Sequence, residues 1–137
     1  MSILRPSEAG TSLVVCSTCK FKSDEPTMPS GERGGRALAD KIEQVLKSTD
    51  EGRISVEPMA CLFACSQHCT VHLRAGGKIG YVMGSFEPTQ EAAEALVEFA
   101  KHYDDSAEGV VPYKLWPEGV KGHFLVRVPP QGMITLD

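Results

Sequence analysis

The sequence predicts an α/β fold, a mixed β-sheet flanked by helices, and three observations carry that prediction. Short β-branched or alternating apolar stretches recur at residues 12–16, 53–59, 70–73 and 78–83. Two longer segments, 36–47 and 90–103, repeat apolar residues at helical spacing. The connections between them are rich in Gly and Pro, the residues that break regular structure.

A chain of 137 residues with 42% apolar content is the size of one domain with one core. Lys and Arg total 14 against 18 Asp and Glu, a net charge of -4 with no long run of one sign. That balance excludes a nucleic-acid footprint and a polybasic membrane anchor. No apolar stretch approaches a membrane span, and the opening residues lack the charged and apolar regions of a secretory signal, so a cytoplasmic protein is expected. In that reducing compartment, an odd count of five cysteines argues against a disulfide framework.

Residues 1–11 hold little apolar content and are expected to form a flexible arm. Residues 12–16 then make a buried strand that delivers Cys16 at its C-terminal end. Pro26, Pro29, Gly31, Gly34 and Gly35 mark residues 20–35 as a loop. Leu38, Ile42, Val45 and Leu46 stripe one face of the first helix, with Asp40, Glu43 and Lys47 outward. In residues 53–59, Ile54 and Val56 alternate with Ser55 and Glu57 in a second strand that leads into Cys61. Residues 70–73 and 78–83 are separated by a Gly-rich connection suited to a hairpin. Thr89 is placed as the N-cap of a second helix, with Glu91 in its first turn and Leu96, Val97, Ala100 and Tyr103 on its inner face.

Two strands around a helix imply a right-handed parallel crossover, and the hairpin adds antiparallel strands under the last helix. That is a thioredoxin-like layering over residues 12–106. Residues 107–137 form a C-terminal extension packed on this domain, with Trp116, four prolines and a strand-like run at 124–128 whose partner the sequence does not fix.

The chemistry lies in two cysteine clusters, Cys16 and Cys19 in one C-x2-C, and Cys61, Cys65 and Cys69 in C-x3-C-x3-C. Clustered soft thiolates select iron-sulfur clusters, zinc or Cu(I) over hard cations. A [2Fe-2S] cluster takes two terminal ligands on each iron, and two cysteine pairs at two strand ends meet that demand. Cys61 and Cys65 share one face if their loop takes a helical turn, and Cys69, four residues on, is a fifth thiol or substitute ligand. Lys20 and Lys22 beside the first pair read as solvated loop charges rather than cluster stabilisers.

Two other readings stand beside this one. Structural or carried zinc suits a C-x2-C knuckle, although a second x3 spacing is untypical of it. A thiol-disulfide oxidoreductase using Cys16 and Cys19 needs a helix after the motif, where a Pro and Gly loop follows instead. His68 reads as a polar loop residue, His72 as a residue on the outer strand face, and His102 and His123 lack sequence partners. No nucleophile elbow, phosphate-binding glycine motif or paired metalloprotease histidines occur, so an electron carrier or metal-binding protein is expected rather than an enzyme.

The blocks at residues 13–19 and 61–71, the segment 80–84 and the tail 127–130 resemble a bacterial family of "predicted metal-binding proteins", catalogued as a domain of unknown function. More distantly, Cys61-Leu-Phe-Ala-Cys65 is similar to thioredoxin-like [2Fe-2S] ferredoxins and to the small iron-sulfur subunit of respiratory complex I. These resemblances imply one-electron transfer or redox sensing with a protein redox partner, a homodimer, and a place in metal or cobalamin metabolism. They imply Cys16, Cys19, Cys61 and Cys65 as cluster ligands. Cys69 falls where those ferredoxins commonly have proline, which marks it as the extra thiol, and the short spacing of Cys16 and Cys19 departs from their pattern.

Overall fold

The computed structural model describes Leu4, Pro6, residues 10–18, 27–60, Leu62 and residues 69–136. Its order is β1 (Thr11–Cys16), α1 (Gly34–Ser48), β2 (Ile54–Met59), β3 (Val71–Arg74), β4 (Gly80–Met83), α2 (Gln90–Asp105) and β5 (Phe124–Val128). The strands form one sheet in the order β2-β1-β3-β4-β5. β1 and β2 run parallel across the α1 crossover, and the remaining neighbours are antiparallel.

Period-2 alternation gives the sheet two different faces. Leu13 and Val15 of β1, Val71 and Leu73 of β3 and Met83 of β4 join the core beneath the helices. α1 contributes Leu38, Ile42, Val45 and Leu46, and α2 contributes Leu96, Phe99, Ala100 and Tyr103. The helices also pack against each other, so both lie on this face. Ser12, Val14 and Cys16 point the other way and are also buried.

Thr89 caps α2 as expected, its hydroxyl accepting from Ala92 N–H at 3.2 Å. Gly34 and Gly35, expected in the preceding loop, instead open α1 and are buried. Glycine is a poor helix former in mid-helix, but the first turn has no intrahelical N–H bonds for it to weaken. Residues 124–128 find their place as the outer strand beside β4, with a register shift between Val82 and Met83. The segment before β5 is tied down by Trp116, whose indole donates to Val111 O at 2.9 Å. Its ring lies 4.5 Å from Phe124 and 5.9 Å from Phe99 between centroids, so packing on the core is what this aromatic does.

Candidate metal centre

β1 carries Cys16 to the end of the sheet at which β2 ends and β3 begins. Cys16 N–H donates to Thr70 O at 3.0 Å, which continues the β1–β3 register one residue beyond β3 and binds Cys16 to the residue following Cys69. On its other side, Cys16 pairs with Met59. The thiol is 2% exposed and lies 3.8 Å from Thr18 Oγ1.

The chain beyond Cys16 is held against the chain beyond β2. Ser17 N–H donates to Met59 O at 2.8 Å, and Ser17 Oγ donates to the same carbonyl at 3.1 Å. Thr18 Oγ1 donates to Ala60 O. Thr18 and Ala60, the residues immediately before Cys19 and Cys61, are therefore bonded to each other. Sequence reasoning treated Ser17 and Thr18 only as spacers. Their hydroxyls, which readily bond neighbouring backbone, were the available signal.

Cys69 is fully buried in the same cluster as Leu13, Val15, Val71 and Leu73. Cys16 belongs to the opposite face with Val14. The two thiols are thus close along the chain pairing and separated by the sheet. Cys19, Cys61, Cys65 and His68, with Lys20 and Lys22, lie outside the described residues, as does most of the arm at 1–9. Among the described residues no group of three or more His, Cys, Asp or Glu side chains gathers as a metal site. His72 lies on the open face opposite Val14 and Val82. Burial, and secondarily the charge of Arg74, hold its imidazole below the usual histidine range.

Residues 13–130 match the family described as "Protein of unknown function (DUF1636)", and the chain belongs to that family. No curated protein matches it. The fold is similar to a thioredoxin-like [2Fe-2S] ferredoxin from Aquifex aeolicus, at 18% identity and a TM-score of 0.52, over 93% of this chain and 100% of that one. A Cys55Ser variant of such a ferredoxin from the same organism is 19% identical, with a TM-score of 0.49 over 76% of this chain and 94% of that one. At 18% identity the likeness to the first of these establishes the fold alone, the thioredoxin-like architecture expected from the sequence. Among the described residues, no helix is long and apolar enough to cross a membrane.

Proposed function

We propose that this protein holds a [2Fe-2S] cluster through Cys16, Cys19, Cys61 and Cys65 and serves as a one-electron carrier or redox sensor for a protein partner in the cytoplasm. The observation that carries this reading is the bonding of Ser17 and Thr18 to Met59 and Ala60. Consecutive Cα atoms are about 3.8 Å apart, so the chain enters Cys19 and Cys61 from adjoining positions. Two cysteine pairs carried on these bonded segments would suit a binuclear cluster, which when bound supplies a reversible one-electron couple.

The donor chemistry fits the group. Cys16 stands at a strand end, backed by the β1–β2 and β1–β3 bonds, so little of its position has to be organised on binding. Cys16 is buried whereas Thr18, Met59 and Ala60 beside it are exposed, and solvent access together with nearby backbone N–H groups sets the potential of a cluster. Cys69, within the hydrocarbon core, stays outside the ligand set and behaves as a small apolar side chain.

Anaerobic purification, a visible spectrum and assays of iron, zinc and acid-labile sulfide on one sample test the reading. Sulfide-to-iron charge-transfer bands with about two irons and two sulfides per chain support it. Zinc at about one per chain without visible bands replaces it with a structural or carrier site. A metal-free protein with a titratable dithiol replaces it with thiol exchange.

A further inference from the structure

We propose that the groove between the C-terminal end of α1 and one side of α2 docks an arginine-bearing amphipathic helix of a protein partner. Gln90, Glu94, Val97, Glu98 and Lys101 recur at helical spacing along α2, and with Val45, Ser48 and Thr49 of α1 and its cap they line a groove of about 420 Å³. Lys101 follows Gln90 by eleven residues, so the groove runs ~16 Å along the helix at 1.5 Å per residue. Val45, Ala95 and Val97, none more than 8% exposed, give it a floor of small apolar side chains, and Pro117 lines it as well.

The charge along this groove is unbalanced. Glu94 and Glu98 are exposed and stand one turn apart, an i,i+4 pair of like charge that weakens a helix. Among the described residues neither forms an ion pair, with Lys101 or any other cation. α1 is built the other way. Arg36 pairs with Asp40 at 3.7 Å and Lys47 with Glu43 at 3.5 Å, each an i,i+4 couple of opposite charge. Ser48 and Thr49 also bring the C-terminal end of α1 to the groove, where the helix dipole favours positive charge. Two carboxylates and a helix end outweigh one ammonium, so the groove attracts a cation.

An arginine-bearing helix meets each of these features. Its arginine stems cover the apolar floor while the guanidiniums fork onto the carboxylates. Arginines four residues apart on a helix lying along α2 repeat the ~6 Å rise between Glu94 and Glu98. A helix also satisfies its own backbone groups, whereas an extended segment needs a strand edge to bond to, and the walls here are helices. A second copy of this chain is a poor occupant, because it brings a net charge of -4 to an acidic groove. The docked helix is assigned to the redox partner, an assignment that rests on the carrier reading, but docking itself needs no metal.

Fluorescence anisotropy of a labelled helical peptide with the full chain, metal-free and metal-loaded, tests the docking. The peptide carries two arginines four residues apart among alanine and leucine, and is compared with versions that have lysine or glutamine in their place. The arginine peptide should bind both forms of the chain and lose affinity as salt rises, the lysine version should bind less tightly, and the glutamine version should not bind. Glu94→Gln and Glu98→Gln should each weaken the arginine peptide about tenfold, the loss of one charge-assisted bond. Lys101→Gln should tighten it by removing a repelling charge. Both glutamates are exposed, so their variants should keep the native far-UV circular dichroism. Glu43→Gln, on α1 where Lys47 already pairs with the carboxylate, should leave binding unchanged. No binding by the native chain at millimolar concentration overturns the proposal, as does equal binding of the lysine peptide or a loss in Glu43→Gln as large as in Glu94→Gln. None of these readouts depends on iron content, so failure here is distinct from failure of the cluster reading.

Discussion

Cys16 and Cys69 lie on adjoining chains of one sheet, joined through the Cys16 N–H bond to Thr70 O at 3.0 Å, yet their side chains belong to opposite faces. Substituting each should therefore do different things. Cys69→Ser places a hydroxyl among Leu13, Val71 and Leu73 and should lower stability by about 1–3 kcal/mol while leaving iron and sulfide content intact. Cys16→Ser should leave the fold standing and lose most of the iron. Urea unfolding paired with metal assays separates the two. Iron lost from Cys69→Ser and kept in Cys16→Ser would reverse the ligand assignment.

Tyr103 is fully buried, donates to Ile79 O at 2.5 Å, and has its hydroxyl pushed up to about 12 from the ordinary 10.0, chiefly by burial. The unfolded chain releases this proton first, so the contribution is complete below pH 10.0 and is lost as pH rises toward about 12. The loss is about 2–3 kcal/mol at the upper end of that window. Tyr103→Phe should remove this alkaline slope, at a cost of about 1 kcal/mol at neutral pH for the missing hydrogen bond. Denaturant midpoints for both proteins across the window measure the difference.

Much of this architecture was legible because its signals are local. The stripe Leu38, Ile42, Val45, Leu46 and the Thr89 cap each specify an element without reference to the rest of the chain. The position of residues 124–128 was not legible, since strand pairing depends on which edge remains vacant after β3 and β4 have folded. The start of α1 was misplaced because Gly34 and Gly35 have weak helix propensity and the burial that places them is tertiary. At the site, the sequence indicated that Cys16 ends a strand. It did not show that Cys69 turns into the core, because a residue outside a regular strand has no period from which to read its direction.

His72 sits half-buried on the open face, and its imidazole lies below the ordinary 6.5 because burial disfavours the charged form and Arg74 repels it. The sign follows from the depressed value. Stability is complete above pH 6.5 and declines as pH falls through the folded-state value, since the unfolded chain takes up the proton more readily. His72→Gln should be less sensitive to acid than the native protein between neutral pH and about pH 5. Equal acid slopes in the two proteins would place the titrating group elsewhere.

Gly119 lies in the short turn Glu118–Val120, which packs on α2. A β-carbon there would come within 2.5 Å of Ala95 Cβ, well inside van der Waals contact. Val120 anchors the same turn in the core, so the turn cannot lift away without exposing it. Gly119→Ala should cost about 1–3 kcal/mol as an overpacked contact. Ala95→Gly opens the space but weakens α2 by about 1 kcal/mol through helix propensity. If the clash is the cause, the double variant should be destabilised by clearly less than the sum of the two single changes. Thermal unfolding of the four proteins gives that coupling directly, and strictly additive losses would show that the turn relaxes away from Ala95 instead of pressing on it.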